Sequence, residues 1–477
     1  MKNAILSLSL LSLVQVPPPT QAASPKQQAI ASAASLDSAV HELSMALWEL
    51  SETALEEHRS AEMLASVLER EGFRVARGVS QMPTAFVATW GSGRPIVGIL
   101  AEYDALPGVG NAAVPEKAGR ENGVTSGHGC GHNLFGPASV AGAIAAKRTL
   151  ESLDAPGTVR LYGTPAEEIG VGKVYMARDG LFDDLDVALD WHPGTETETS
   201  NQTGLALNNF FVEFFGQAAH GARDPWNGRS ALDAVELMNF GVNLMREHVE
   251  PSARIHYVIP SGGDAPNVVP EYAKVWYYVR DAKHVDMQRH YDRILKIAEG
   301  AAIATETTHK ATLVTGLHEC VMIRPLQEAI QRNLEIVGGP EYEPEEQDFA
   351  RSLQRSLGVE EKGYVGTVEK LAEGVEPNTG GSTDVCEVSY IVPEGGFRVT
   401  TAAAGVPWHS WATTACHGTS AGVKGAQVAA RVLAATAVEL LTDPQLLGEV
   451  QQTFRSLTGG ARYQSPIPAD QAPPKPD

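Results

Sequence analysis

Cysteine is scarce in this chain: there are four in 477 residues, Cys130, Cys320, Cys386 and Cys416, and no two form a Cys-x-x-Cys pair. That count excludes a disulfide-built framework and a structural zinc knuckle, so any cysteine function must be individual. Cys386 with Cys416 is conceivable as a single pair. Basic residues are also few, 37 against 58 acidic ones, and the formal charge is -21. Such a surface repels phosphate backbones and anionic membranes, so no nucleic-acid partner is expected. Long apolar runs are missing too. The run from Ala4 to Val14 has about half the length of a bilayer-crossing helix, and no later run does better, so no membrane insertion is expected. With Lys2 before it and Pro17-Pro18-Pro19 and Thr20-Gln21-Ala22-Ala23 behind it, this run has the build of a cleaved secretory signal over residues 1–23. A periplasmic or secreted bacterial protein is the expectation, in a compartment that permits disulfides without requiring them.

What is present is ample core material, 43% apolar residues with 20% charged, enough for two domains. From about Leu36 to Phe73 apolar residues recur at steps of three and four, the mark of amphipathic helices. Phe86 to Ala88, Ile96 to Leu100, Val159 to Tyr162 and Val187 to Leu189 are short apolar runs suited to strands buried on both faces. Helices are expected between them over 134–150 and 172–179, and this alternation predicts an open α/β sheet. Between residues 205 and 317 the pattern becomes strand, helix, strand, strand, helix, strand, the order of a ferredoxin-like split unit, which predicts an inserted α+β domain. The catalytic domain would then be discontinuous, 24–204 and 318–459. Its second part is expected to hold helices over 325–337, 345–357 and 423–441, a Gly-rich turn at Gly380-Gly381-Ser382 and a strand over 388–392. Residues 460–477, with five prolines, are expected to be a solvated tail.

The chemistry lies just past the strands. Ile96 to Leu100 runs into Glu102-Tyr103-Asp104; His128-Gly129-Cys130-Gly131-His132 opens the helix that follows; Val159 to Tyr162 leads to Glu167-Glu168, and Val187 to Leu189 to Asp190-Trp191-His192. Ligands bind beyond the carboxyl ends of strands in open α/β sheets, where residues distant in sequence converge. Cys130, His132, Glu168 and His192, with His409 from Pro407-Trp408-His409-Ser410, are donors of the types that hold zinc or manganese. Five protein donors are too many for one ion that keeps a water. Two divalent ions, Mn²⁺ or Zn²⁺, sharing a deprotonated Cys130 would use them all. Glu167, beside a ligand carboxylate, would act as general base. Each feature has a plainer explanation alone: a buried thiol, a solvated acid pair, an exposed turn histidine at His220, a strand-end charge at Arg280, a turn former at Asn267 and a helix cap at Asp384. The remaining histidines read as surface or structural.

Ile99 to Gly108, Gly127 to Gly136, Gly163 to Glu168, Gly216 to His220, Asn267 to Pro270 and Gly381 to Val385 together resemble the aminoacylase and carboxypeptidase family of di-metal amidohydrolases. The resemblance spans roughly residues 30–440. It implies metal binding by Cys130, His132, Glu168, His192 and His409, with Glu167 as base. It also implies a lid and homodimer interface in the inserted domain, with His220 reaching the neighbouring subunit's site to stabilise an oxyanion, and Asn267 and Arg280 holding a substrate carboxylate. The substrate would be a small N-acyl or N-aroyl amino acid of the p-aminobenzoyl-glutamate kind, and a separate partner subunit is conceivable. Many relatives carry His-x-Asp where this chain has Glu102-Tyr103-Asp104. One ligand is therefore replaced, Asp104 would orient a ligand imidazole from behind, and Glu102 has no assigned role. Three alternatives stay open: a dipeptidase or carboxypeptidase of the same family, a thiol hydrolase using Cys130 with His132 or His128 as base, and a dimer that binds acyl-amino acids without turnover.

Overall fold

The computed structural model describes residues 23–376 and 381–475. Almost all of the expected leader, and Gly380 of the Gly-rich turn, lie outside them. In chain order the first body holds helices α1 (Pro25–Ala34), α2 (Asp37–Leu50) and α3 (His58–Arg70), strands β1 (Arg74–Arg77), β2 (Phe86–Ser92) and β3 (Ile96–Ala101), helix α4 (His132–Leu153), strand β4 (Gly157–Gly163), helix α5 (Gly172–Arg178) and strands β5 (Val187–Leu189), β6 (His192–Gly194) and β7 (Glu198–Thr199). The chain then leaves for β8 (Ala206–Phe215), α6 (Ala231–Met245), β9 (Arg254–Ser261), β10 (Tyr272–Asp281), α7 (His284–Ala304) and β11 (Thr308–Leu317). It returns through α8 (Arg324–Val337), α9 (Pro344–Leu357), α10 (Val385–Ser389), β12 (Glu394–Gly395), β13 (Phe397–Thr400), α11 (Trp411–His417), α12 (Ser420–Thr442) and α13 (Pro444–Thr458).

The main sheet is mixed, with strand order β1-β2-β4-β3-β5-β12. β3 lies parallel to both β4 and β5, so the carboxyl ends of all three open on one rim. β3 and β5 are wholly or nearly wholly buried because helices cover both faces. α4 and α12 pack closely: a Cβ at Gly142 would stand 2.8 Å from Leu433 Cβ, so glycine there sets the spacing of the two helices. The inserted body has strand order β11-β8-β10-β9, that of a ferredoxin-like sheet, and its own core around Phe210, Val212, Met238, Tyr277 and Ile294.

Three local expectations are corrected, and one helix is added. The apolar run 388–392 is not a strand: Val385–Ser389 is helical and the strand is the short β12 after it, since so short a run has no decisive period. Helix α13 was not expected, although Asp443 accepts from the Gln445 and Leu446 amides ahead of it and Pro444 stands at its first position. The disulfide joins Cys386 to Cys320 and not to Cys416; Cys416 is a buried free thiol on α11, packed with Tyr364, Ala402 and Ala412. Finally, residues 460–475 are not a solvated tail. Tyr463 donates to Glu387 Oε2 at 2.6 Å, Ile467 is buried, and Gln471 donates to Leu313 O at 2.8 Å and to the Tyr175 hydroxyl at 3.0 Å. The segment bends and turns over 466–470, and its few apolar and amide side chains dock it across α5, α10 and β11.

Candidate metal centre

Gly131 is the pivot of the centre. It caps α4 in the left-handed conformation (φ 83°), and a Cβ there would meet Pro193 at 2.8 Å, so only glycine brings Cys130 and His132 against the strand that carries His192. Cys130 Sγ lies 3.4 Å from His192 Nε2, and His192 Nδ1 donates to Pro193 O at 2.7 Å. His132 Nδ1 meets Asp104 Oδ1 at 2.8 Å, and the other Asp104 oxygen accepts the Glu168 amide at 2.9 Å. Both imidazoles are thus held from behind through Nδ1 with Nε2 turned to the other donors, the usual device for fixing a ligand tautomer. On the other side His409 Nε2 stands 3.4 Å from Glu168 Oε2.

These donors form two groups, Cys130-His132-His192 and Cys130-Glu168-His409, each with ligand atoms within 4.8 Å of one another and with Cys130 common to both. Each group could hold one cation, and the sulfur is the donor common to both. Two non-glycine residues here have positive φ, Ala166 (57°) before the acid pair and His409 (53°), and such strain persists only where the surroundings enforce it. For Ala166 the enforcing group is Glu57, a buried residue whose Oε1 accepts the Ala166 amide at 2.8 Å.

The chemistry of the donor set fits divalent cations. His132 Nε2, Glu168 Oε1 and Glu102 Oε2 are buried without a hydrogen-bond partner, and each such orphan costs about 1–3 kcal/mol unless something compensates it. Burial pushes the Cys130 thiol up and the Glu168 carboxyl up to about 8. Contact with a divalent cation would ionise both near neutral pH. The same burial argues against a thiol nucleophile. His128 offers no help as a base, since its Nε2 is turned to Leu47 O at 3.1 Å and burial lowers its pKa to about 3.

The comparisons with known proteins agree. Residues 98–469 match the model of peptidase family M20/M25/M40. The chain belongs to this family. Among curated relatives it is 41% identical to a p-aminobenzoyl-glutamate hydrolase subunit of Escherichia coli, covering 90% of this chain and 94% of that protein. It is 30% identical to a human Xaa-Arg dipeptidase, covering 87% and 88%. Among solved structures, an aminobenzoyl-glutamate utilization protein from Klebsiella pneumoniae shares the fold with a TM-score of 0.60 at 17% identity, covering 86% of this chain and 98% of that one. The Bacillus subtilis YXEP protein, a dinuclear metal binding M20 peptidase, does so with a TM-score of 0.57 at 17% identity, covering 86% and 99%. This M20 chain is a metal-dependent amidohydrolase.

Glu167 lies in the short turn before α5, with Oε2 3.9 Å from His132 Nε2, beside the donors. The candidate residues of the inserted domain lie elsewhere. Arg280, at the end of β10, places NH1 3.4 Å from Ser382 Oγ, and its buried Nε has no partner. No carboxylate is paired with it among the described residues. His220 and Asn267 are exposed on adjoining loops of the inserted domain, with Asn267 O accepting the Gly221 amide at 2.8 Å, and among the described residues no hydrogen bond or ion pair joins them to the donor cluster. His220 Nδ1 accepts the amides of Ala222 and Arg223 at 3.2 Å, so the proton of the neutral ring sits on the outward Nε2.

Sequence reasoning missed Lys173 and left Glu102 without a role. The Lys173 ammonium is fully buried, 2.7 Å from Glu102 Oε1 and 2.6 Å from Asp384 Oδ1. Asp384 does precede a helix, yet its side chain makes no cap and turns to Lys173 instead. A lysine on a helix as apolar as 171–177 was the available signal, because an ammonium in such a place must be paired. Glu57 left no signal of comparable strength.

Proposed function

We propose that this chain hydrolyses the amide bond of N-acyl and N-aroyl amino acids, with p-aminobenzoyl-glutamate as the type substrate. The observation that carries the reading is the pair of donor groups sharing Cys130 with Glu167 beside them; the 41% identity to a p-aminobenzoyl-glutamate hydrolase subunit supports the substrate class. Cys130, His132 and His192 would hold one divalent ion, and Cys130, Glu168 and His409 the other, either Mn²⁺ or Zn²⁺. When bound, such a pair supplies Lewis acidity and makes a water acidic near neutral pH. Glu167 takes the proton of the attacking water as its oxygen bonds to the amide carbon. It then delivers that proton to the leaving nitrogen as the C–N bond breaks, giving a carboxylic acid and a free amine. The unpaired Arg280 guanidinium suits a substrate carboxylate, which it can grip by a bidentate fork, and Asn267 is the second group assigned to that carboxylate.

His220 is assigned to the developing oxyanion, a contribution of roughly 3 kcal/mol in comparable sites. Its exposed position, away from its own chain's donors, suits a role in the site of a second copy. A face for that copy exists: Leu237, Phe240 and Leu244 on α6 and Val258 and Ile259 on the edge strand β9 are all exposed, an apolar patch beside unpaired strand edges. The chain is therefore proposed to work as a homodimer through its lid. The Escherichia coli relative is named as one subunit of its hydrolase, which also leaves room for a hetero-partner. Export is proposed from the leader-like residues 1–23, and the Cys320–Cys386 disulfide suits an oxidising compartment.

The 30% identity to an Xaa-Arg dipeptidase favours dipeptides as a second reading, since they present the same carboxylate beside the scissile amide. The deciding experiment strips the purified protein with a chelator and follows amine release from p-aminobenzoyl-glutamate and from Xaa-Arg dipeptides before and after Mn²⁺ or Zn²⁺ is restored. Metal-restored cleavage of the aroyl-glutamate is expected. Faster dipeptide cleavage moves the substrate class to the second reading, and full activity in metal-free protein overturns both.

A further inference from the structure

Glu102, Lys173 and Asp384 form a buried chain of charges from three distant parts of the sequence, all 0–1% exposed. Lys173 Nζ bonds Glu102 Oε1, while Glu102 Oε2 faces His132 Nε2 at 3.1 Å without a hydrogen bond of its own. Glu102, His132 and Glu167 thereby make a third group of possible ligand atoms within 4.8 Å. The other side of the ammonium is fixed as well. Asp384 takes it on Oδ1 and accepts the Lys173 backbone amide on Oδ2 at 2.8 Å, so that carboxylate cannot turn without breaking two bonds.

We propose that Lys173 is a positioning residue of the metal centre: by clamping one Glu102 oxygen against Asp384, it holds the other at the His132 Nε2 position and so sets the geometry and affinity of the adjacent cation. This rests on the metal-dependent reading above and deepens it. Lys173 bonds Glu102 and Asp384 and acts through them. It also supplies one resident positive charge where Glu102, Asp104, Glu167, Glu168, Asp384 and Cys130 converge, more acidic groups than two divalent ions can balance. Without the clamp the Glu102 carboxylate gains rotamers, and the oxygen beside His132 loses its fixed place. A ligand sphere held less firmly binds its ion less tightly, as when outer partners of metal ligands are removed.

The test uses cobalt as the probe. Wild type, Lys173→Met and Glu102→Gln are stripped of metal and titrated with Co²⁺ against a chromophoric chelator, and the thiolate-to-cobalt and d–d absorption bands are recorded along with thermal unfolding. The expected result is at least tenfold weaker binding of one Co²⁺ and a shifted d–d spectrum in both variants, with the second Co²⁺ unaffected. A purely structural role would lower the unfolding temperature and leave the spectrum of the folded protein alone. Glu102→Gln keeps the Lys173–Asp384 pair, so it decides the matter even if Lys173→Met does not fold. Wild-type affinity and spectrum in Glu102→Gln overturn the proposal. A wild-type protein that takes up no Co²⁺ overturns the metal-dependent reading itself, a failure visible before any variant is compared.

Discussion

Cys130 Sγ and His192 Nε2 lie 3.4 Å apart across 62 residues of sequence, and the rest of the centre is organised around that approach. The thiol sits just ahead of α4, one residue before its Gly131 cap, and the imidazole just past β5, so their meeting depends on β3, β4 and β5 running parallel and ending on one rim. The fold thus makes the sulfur a member of both donor groups, and Glu167 stands beside them, its Oε2 3.9 Å from His132 Nε2.

Glu167→Gln should lower kcat by about 10²–10⁴-fold, the usual share of a general base, with metal content per chain unchanged. Elemental analysis beside steady-state kinetics checks this. Loss of an ion in the variant would make Glu167 a ligand.

The His318–Glu387 pair predicts a pH-dependent part of the stability. Burial alone would depress His318, but Glu387, whose carboxylate is 2.9 Å from Nδ1, outweighs it and leaves the folded pKa above the ordinary 6.5. A raised folded pKa means that the pair stabilises fully below the unfolded value and that the benefit is lost as pH rises through the folded value. The Tm gap between wild type and His318→Gln should therefore be widest near pH 6 and narrow towards pH 9. A gap that widens with pH refutes the assignment.

The Cys320–Cys386 bond closes a loop across 66 residues of sequence, for which chain entropy suggests about 4 kcal/mol of stabilisation. Replacing both cysteines by serine should lower Tm, and a thiol reductant should lower that of wild type but not of the double variant. Cys416→Ser should not reproduce the effect.

Truncation after Arg462 should destabilise by roughly 3 kcal/mol, from the lost burial of Ile467 and the lost bond from Tyr463 to Glu387. Denaturant unfolding of the shortened chain measures this. An unchanged midpoint would show the docked segment to be energetically idle.

Phe240→Glu places a charge in the exposed α6 patch, where Phe240 is 61% exposed, so the folded monomer should tolerate it. If that patch joins two copies, the variant should sediment as a monomer and lose activity together with the contribution of His220 from the second copy.

The donor types, their places after apolar strands and the inserted unit were all legible in the sequence, because strand and helix periods are local and the chemistry of Cys130, His132, Glu168, His192 and His409 is carried by residue type. The pairing of Cys386 was not legible, nor was the partner of Lys173 across 211 residues, nor the docking of Gln471 onto β11. Those depend on which distant segments the packed cores bring within a few ångströms. Burial then decides the rest: an ammonium, a carboxylate or an imidazole removed from water must find a partner nearby, and only the tertiary arrangement determines which partner is there.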